Sequence, residues 1–533
     1  MMKRLTALIM TLCLLLCTPT ALAAIENLTE LPLTTEPVSF HIVGAQSAYH
    51  SDWNEMESLI ELQKRTGIEL TFEMIPNTML AEKRNLMLAS NDLPDAFFGC
   101  KFTASDLISY AQDDLIIPLD SYIESCMPNL SAVLNDPEYA AVLPGITFPD
   151  GHIYTLPHLY QADYWAMVGQ EHLFINTEWL ERLNLAMPTT PAELFDVLMA
   201  FKEQDADGDG DPNNEIPIGG KSNVIVRLLA SINGSWGLQN MGNSHLYVDR
   251  DPAGDGTQLR FFKTDDRFRE VLEYLNSLYV NGLMEQEAFT IETSQIVAKA
   301  STGVYGVLNC LSPMGDYSLD YGVYEGLDIL TGPHGDQLHS AVNSQIARIG
   351  DFVVTSACEN VELLLKMYDY YCYSRDGLIL LYLGQEGKQW EYDAAGERQY
   401  MEWITNNPDG LTLDQAVGTF TYWPDGSVSS FSEKTTSRSI RTKQDAFESC
   451  EIIHDKYVKA VPPFTYTLDE SEQLNSQLAD LITYVDSMVN KFIKGDAGFD
   501  QWDTYVKTCE KMGLEDYLAI QQAAFDRFNS NLA

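Results

Sequence analysis

The stretch DADGDGDPNNEIP, residues 205–217, carries an oxygen donor at every second position. The donors are Asp205, Asp207, Asp209, Asp211 and Asn213. A hard cation such as Ca²⁺ binds about six to eight oxygen atoms, and a short segment can supply them only by wrapping tightly. Gly208 and Gly210 allow that wrap, because glycine adopts backbone conformations that a Cβ would penalise. The stretch predicts a calcium loop, and the alternative is an acidic surface turn without metal.

The spacing matches an EF-hand loop at its start but not at its end. The three early aspartates match positions 1, 3 and 5, and Gly210 matches the glycine at position 6. Position 12 should be a bidentate glutamate but is Ile216, and Glu215 comes one residue early. We therefore expect a structural calcium loop of different shape. Its expected ligands are the carboxylates of Asp205, Asp207, Asp209 and Glu215, the carbonyl of Asp211, and Asn213 directly or through water.

A helix is predicted immediately before this loop. Thr190 is a suitable N-cap, Pro191 takes the first helical position, and Glu193 completes a capping box. Leu194, Leu198 and Phe201 then follow at helical spacing and mark one apolar face. The helix should therefore end at the acidic loop.

Several short motifs around the loop occur together in a known family. They are NTEWLERLNL (176–185), PTT (188–190), EIP (215–217), NLMLAS (85–90), PDG (149–151), GQEG (384–387) and FIKG (492–495). In their order and spacing they resemble the family 1 extracellular solute-binding proteins, the binding subunits of ABC importers, and within these the alginate-binding type with a calcium site. The resemblance implies an oligosaccharide ligand, permease subunits at the membrane as partners, and a monomer without catalytic activity.

The chain begins its folded part as alternating strands and helices. Val38, Phe40 and Ile42 alternate in a first strand, residues 52–66 read as a helix, and residues 68–74 alternate again. Such alternation argues for an open α/β sheet. Together with the resemblance, it predicts a two-lobe periplasmic-binding-protein-like fold, each lobe an open α/β sheet flanked by helices, with a helical C-terminus.

The chain is too long for one core, because single domains rarely exceed about 250–300 residues. We expect the chain to cross between the lobes more than once. The predicted division is a signal peptide at 1–23, an extension at 24–36, a first lobe at 37–156 and 309–375, and a second lobe at 157–308 and 376–533, which includes the calcium loop.

The N-terminus reads as an export signal. Lys3 and Arg4 precede an apolar run too short to span a bilayer, and Ala21–Leu22–Ala23 is a small-residue cleavage site. Cys17 follows three leucines rather than a small residue, which argues against a lipid on this cysteine. We therefore expect an exported protein, extracellular, surface-associated or periplasmic.

Removal of the signal lowers the net charge from −44 to −46, because two basic residues leave with it. A chain this acidic is repelled by nucleic acid and by anionic membrane surfaces, and it favours a neutral substrate over a polyanionic one. The seven cysteines that remain show no metal-binding spacing, and we interpret most of them as small buried apolar residues.

No hydrolase elbow, zinc helix or phosphate loop occurs in the sequence. The abundance of carboxylates leaves a secreted glycosidase as an alternative from a different class, and an adhesion or scaffold module as another. A sugar offers flat C–H faces to aromatic rings, so aromatic residues in loops are candidate ligand contacts. These are Tyr160, Tyr164, Trp165, Trp236, Trp390, Tyr392 and Trp423, with core packing as the alternative for each; Trp179 and Trp502 are expected in the core.

Overall fold

The computed structural model describes residues 27–161, 165–169, 171–221, 223–317, 319–394, 396, 398–423 and 444–532. The predicted signal peptide with Cys17, and the candidate contact Tyr164, lie outside these residues. Within them, no helix is both long and apolar enough to span a bilayer.

Thirteen strands are present in the described residues. They are β1 Ser39–Gln46, β2 Glu69–Pro76, β3 Ala96–Phe98, β4 Leu156–Leu159, β5 His172–Asn176, β6 Ile216–Gly220, β7 Val248–Arg250, β8 Leu259–Phe261, β9 Tyr305–Cys310, β10 Tyr324–Gly326, β11 Ile346–Val354, β12 Trp390–Tyr392 and β13 Arg398–Tyr400.

The same residues form twenty-two α-helices. They are α1 Glu57–Thr66, α2 Leu80–Ser90, α3 Ala104–Gln112, α4 Asp120–Cys126, α5 Pro128–Leu134, α6 Val142–Ile146, α7 Trp165–Val168, α8 Thr177–Arg182, α9 Pro191–Glu203, α10 Val224–Ile232, α11 Asp266–Val280, α12 Thr293–Ala300, α13 Pro313–Tyr317, α14 Val361–Tyr373, α15 Arg375–Leu383, α16 Glu402–Thr405, α17 Leu413–Val417, α18 Gln444–Ile453, α19 Leu468–Ser476, α20 Ala479–Lys494, α21 Trp502–Lys511 and α22 Leu514–Leu532.

The first sheet has the strand order β2-β1-β3-β11-β4. β1 is parallel to β2 and β3, whereas β11 runs antiparallel to both β3 and β4. Along β1, Phe40 and Ile42 point into one apolar cluster while Val43 and Ala45 point into another. The sheet is therefore covered on both faces, as expected for an open α/β sheet.

The second sheet has the order β10-β5-β9-β6. β6 and β9 are parallel, and β5 is antiparallel to β9, with His172 opposite Cys310. All residues of β5 and β9 are buried, which explains their nearly continuous apolar sequence. β9 lies in the middle of this second sheet, between β5 and β6.

The chain crosses between the sheets at their carboxyl edges. β11 pairs with β3 through its last three residues, so its beginning extends beyond the carboxyl end of β3. β4 ends opposite that beginning, with Leu159 facing Ile346. β5 begins beside the carboxyl end of β9. The crossing segments 160–171 and 338–345 therefore join the carboxyl edge of one sheet to the carboxyl edge of the other, and they pair through the bond from the Asn343 N–H to the Val168 carbonyl, 2.7 Å.

Two segments pack with a different sheet from the one expected. Residues 309–330 belong to the second core, because β10 extends the sheet at β5 and the aromatic rings of Tyr317 and Tyr324 are buried there. Residues 376–423 belong to the first core, where the side chains of Trp390 and Tyr422 are buried. Those two assignments are corrected; the other lobe limits stay a prediction.

The local predictions are largely confirmed. The first helix begins at Glu57 rather than at 52, because a short 3-10 turn, Trp53–Glu55, precedes it, and Gly67 ends it with φ +80°. Gly495 ends α20 with φ +81°. The seven cysteines are buried, as expected for most of them, and all seven are free thiols.

Candidate functional site

The acidic loop connects α9 to β6 of the second sheet, as predicted. The hydroxyl of Thr190 accepts the N–H of Glu193, and Pro191 takes the first helical position. The Glu193 carboxylate bonds the N–H of Thr189 at 2.8 Å rather than returning to Thr190, so the expected capping box is displaced by one residue. The cap nevertheless fixes the helix that delivers the loop.

The loop has the tight backbone that its glycines predict. Gly208 has φ +79° and Gly210 has φ +95°, in the left-handed region that disfavours side chains. A Cβ at Gly208 would stand 2.8 Å from Nε of Arg182, whose guanidinium donates to the carbonyl of Ala206. A side chain at Gly208 would therefore be disfavoured twice, by the backbone conformation and by the nearby Arg182.

The oxygen atoms of the loop converge as a cation site requires. One carboxylate oxygen each of Asp205, Asp207 and Asp209 lies within 4.8 Å of the other two. Three oxygens of the loop are buried and lack a hydrogen-bond donor among the described residues: Asp205 Oδ1, Asn214 Oδ1 and Glu215 Oε2. Buried acceptors without donors are costly unless something else satisfies them. The residues present therefore fit a hard, oxygen-binding cation.

Glu215 closes the loop from its far end. Its Oε1 accepts the N–H of Ala206 at 2.9 Å, while Oε2 has no donor in the described part of the chain. Burial raises the pKa of this carboxyl above its usual range, and the nearby charge of Asp207 raises it further. A carboxylate in that environment gains from a positive charge beside it.

The remaining loop positions divide into an exposed pair and one residue that the sequence reasoning missed. Asp211 and Asn213 are exposed, and Asp211 Oδ1 accepts the Asn213 N–H at 3.2 Å. Their roles as ligands stay a prediction. Asn214, not anticipated, has a buried Oδ1, and its amide donates to Asp209 Oδ2 at 2.7 Å. Its position between Asn213 and Glu215 was the only available signal.

The carboxyl edges of both sheets form the second candidate site, because ligands of open α/β sheets bind beyond the carboxyl ends of the strands. On the first sheet, the loop after β1 carries Tyr49, and the turn after β3 carries exposed Lys101, whose Nζ donates to Asn77 at 3.2 Å. Arg348 on β11 lies 3.9 Å from the buried carboxylate of Asp351. This edge is polar and lies next to the crossings.

The edge of the second sheet holds two ion pairs. Glu171, the residue before β5, contacts Arg227 on α10. Lys221, directly after β6, lies 2.8 Å from Asp316 on α13. Burial raises the pKa of Glu171 despite the opposing charge of Arg227. Burial acts to lower the pKa of Lys221, but the charge and the hydrogen bond of Asp316, together with the charge of Glu171, leave that pKa raised.

Two of the predicted aromatic contacts lie at the first crossing. Trp165 is half-buried and stacks on His454, with ring centroids 3.6 Å apart and planes 13° from parallel. The half-buried ring of Tyr160 meets His158 edge-on at 4.9 Å. Both residues lie in the crossing segment 160–171, and their contact with a ligand stays a prediction.

The other predicted aromatic residues lie in different environments. Trp236 and Trp390 are each only 4% exposed and belong to the second and first cores, so the structure shows core packing instead of an open stacking face. Tyr392 is 50% exposed beside Trp390. Trp423 is half-buried and donates to the hydroxyl of Tyr400 at 3.4 Å. Trp179 and Trp502 are in the core, as expected.

Comparison with known proteins bears on both sites. No family model matches the sequence. The fructooligosaccharide ABC transporter substrate-binding protein FusA of Streptococcus pneumoniae is 28% identical over 498 residues, covering 90% of this chain and 88% of that protein. Its structure in complex with kestose matches with a TM-score of 0.75 at 27% identity, over 92% of this chain and 100% of that chain.

Over about nine-tenths of its length the chain is thus similar to substrate-binding proteins of ABC transporters.

Two further relatives extend the comparison. The polygalacturonan/rhamnogalacturonan-binding protein YtcQ of Bacillus subtilis is 22% identical over 485 residues, 90% of this chain and 89% of that protein. The structure of the alginate-binding protein AlgQ2 without calcium ion matches with a TM-score of 0.71 at 21% identity, over 93% of this chain and 99% of that chain. The chain thus has the expected two-lobe α/β fold. FusA has also been solved as an EF-hand mutant.

Proposed function

We propose that this substrate-binding protein is the extracellular subunit of an ABC importer, captures a neutral oligosaccharide between its lobes, and delivers it to the membrane permease. The similarity to FusA carries the proposal, because it covers 90% of this chain and 88% of that protein. We expect the mature protein to start near Ala24, to be exported, and to act as a monomer.

A neutral sugar is favoured by charge. FusA is named for fructooligosaccharides and YtcQ for polygalacturonan, so the two relatives represent a neutral and an anionic ligand. The net charge of this chain is −44, which repels polyanions. At the edge of the second sheet, Lys221 and Arg227 each contact a carboxylate. Basic side chains that are already paired with carboxylates attract the carboxylate of a uronic acid only weakly.

Aromatic rings would supply the sugar-stacking surfaces. We propose Tyr160, Trp165, Tyr392 and Trp423 as contacts, together with Tyr164. Each well-stacked ring contributes about 0.5–1.5 kcal/mol beyond the burial of its area. Lobe closure then follows if the ligand contacts both lobes at once, because a ligand shifts the equilibrium by its difference in affinity for the two states.

Calcium would have a structural role. We propose that Asp205, Asp207, Asp209 and Glu215 bind it through carboxylates, with Asp211 through its carbonyl and Asn213 directly or through water. The ion would neutralise carboxylates that otherwise repel each other. The loop closes the end of α9 and leads into the amino end of β6, whereas the proposed sugar site is at the carboxyl ends of the strands, so a direct contact with the sugar is not required.

Thermal unfolding and calorimetry with a panel of sugars test the function. Kestose should raise the melting midpoint, because binding to the folded state stabilises it by mass action. Maltotriose and trigalacturonate serve as neutral and anionic comparisons. Small-angle scattering should show a more compact protein with kestose, and incubation should release no new reducing ends, since we propose no catalysis. If no sugar of the panel binds and the scattering profiles superimpose, the proposal fails.

A further inference from the structure

Four charged side chains meet at the carboxyl edge of the second sheet, beside the crossings. Glu171 ends the first crossing segment and Lys221 follows β6 directly. Arg227 lies in the first turn of α10 and Asp316 in α13, which follows β9 after two residues. Three different connections thus bring two acids and two bases to one edge.

The acids lie beneath the bases. The side chains of Glu171 and Asp316 are 7% and 13% exposed, whereas those of Arg227 and Lys221 are 34% and 26% exposed. A ligand approaching this edge therefore meets the basic groups first. The carboxylates in contact with them cancel most of their field at longer range.

The acids are also held in place by further contacts. Asp316 Oδ2 accepts the N–H groups of Leu311 and Ser312, at 3.1 and 3.2 Å, while its Oδ1 faces Lys221. Glu171 Oε2 is buried without a hydrogen-bond partner in the described residues. An incoming carboxylate could not displace either acid without breaking these contacts or leaving a second buried charge unpaired.

Neutral and anionic sugars should bind to this edge of the second sheet with different affinities. A hydroxyl can donate to a carboxylate and accept from an ammonium or guanidinium group, so it inserts between paired charges without a net charge of its own. A uronate carboxylate brings an extra negative charge to a site whose positive charges are already balanced. Repulsion of this kind is a common source of binding specificity.

We propose, on the basis of the oligosaccharide-capture function, that the pairs Glu171–Arg227 and Lys221–Asp316 are specificity determinants that admit hydroxyl-rich neutral sugars and exclude uronates. The two acids are the excluding elements. Replacing these two acids by uncharged side chains should change the edge from neutral to basic. The discrimination against uronates should then weaken, while the hydroxyl groups of neutral sugars are still recognised.

The test compares kestose and trigalacturonate by calorimetry on the full calcium-loaded protein. The variants are Glu171→Gln, Asp316→Asn and the two combined; the amide introduced by Asp316→Asn would keep an oxygen for the Leu311 and Ser312 N–H groups. The matched control is Glu273→Gln, which removes the same unit of charge from an exposed pair with Arg269 on α11. Selectivity for kestose over trigalacturonate should fall about tenfold or more in the double variant, mainly through tighter trigalacturonate binding, and stay unchanged in the control.

Failure of the inference and failure of the capture function would give different results. A folded double variant with wild-type selectivity would overturn the inference, as would an equal change in the control. A wild type that binds neither sugar would refute the capture function itself. If the double variant does not fold, the wild type and the single variants still decide: trigalacturonate binding that weakens with added salt in the wild type would reveal an accessible cationic site and contradict the proposal.

Discussion

Glu215 Oε1 accepts a 2.9 Å hydrogen bond from the backbone N–H of Ala206, and so joins the two ends of the acidic loop. The other oxygen of the same carboxylate is buried without a donor in the described residues. One oxygen thus holds the loop shut, and the second is a candidate ligand for a cation. A single side chain links the backbone of the loop to its capacity for a cation.

Replacement Glu215→Gln should separate these two tasks. Glutamine keeps an oxygen for the Ala206 N–H but lacks the negative charge, so calcium affinity should fall while the metal-free protein stays nearly as stable. Saturating calcium at about 100–1,000 times the dissociation constant should stabilise the wild type by about 3–4 kcal/mol. Thermal unfolding with calcium and with EGTA should show this gain sharply reduced in the variant.

Asp211→Asn is the matched control for that experiment. Its carboxylate is exposed, and asparagine retains the oxygen that accepts the Asn213 N–H. Because we expect Asp211 to bind through its carbonyl, the calcium response should stay near the wild-type value. A wild-type melting curve unaffected by excess EGTA, together with no metal by elemental analysis, would contradict the calcium loop.

Trp165→Ala should weaken sugar binding with little effect on the free protein. The ring is half-buried and stacks on His454 rather than sitting in one of the two large cores. Loss of about 1.4 kcal/mol of stacking would weaken kestose binding about tenfold. Calorimetry gives the affinity and thermal unfolding of the ligand-free protein gives the stability. Wild-type affinity in a folded variant would remove Trp165 from the site.

Trp236→Ala should behave in the opposite way. Its side chain is 4% exposed, packs against Tyr274 with ring centroids 5.6 Å apart, and belongs to the second core. Large-to-small replacements of buried aromatic rings cost about 3–5 kcal/mol. Denaturant unfolding should show that loss. A stability equal to the wild type, with weakened sugar binding, would restore Trp236 as a ligand contact.

Local features of the fold follow from the sequence because short-range chemistry decides them. The proline and threonine at the start of α9 define its cap, and the loop glycines adopt the left-handed conformations that their spacing predicts. The acidic loop could be predicted because its ligands are neighbours in the chain. Whole-chain motifs then indicated the two-lobe fold, which no single element determines.

Long-range contacts escaped prediction. Trp236 lies between Gly234 and Gly237 and reads as a loop residue. The segment near residue 330 nevertheless covers its turn, because Ser235 donates to the Leu330 carbonyl at 2.7 Å. β10 joins the second sheet by pairing with β5, about 150 residues earlier in the chain, which no local pattern records. The ion pairs at the sheet edge were missed for the same reason, since Glu171 and Arg227 are 56 residues apart.

Acid should destabilise the protein in part through His245. Burial lowers the pKa of His245 to about 4, and its ring contacts Phe464 and the carbonyl of Pro462 at 3.0 Å. The unfolded chain, with an ordinary histidine pKa near 6.5, therefore binds a proton between about pH 6.5 and 4 that the folded state does not, so stability falls as pH falls through this window. The loss approaches about 3 kcal/mol for one such group.

His245→Gln should flatten the dependence of unfolding free energy on pH between these limits, with His41→Gln on an exposed histidine as control. Asp369 acts the other way, because burial raises its pKa to about 6, but it is common to all variants and cancels in the comparison. An unchanged pH slope in a folded His245→Gln protein would show that this histidine takes up its proton without unfolding.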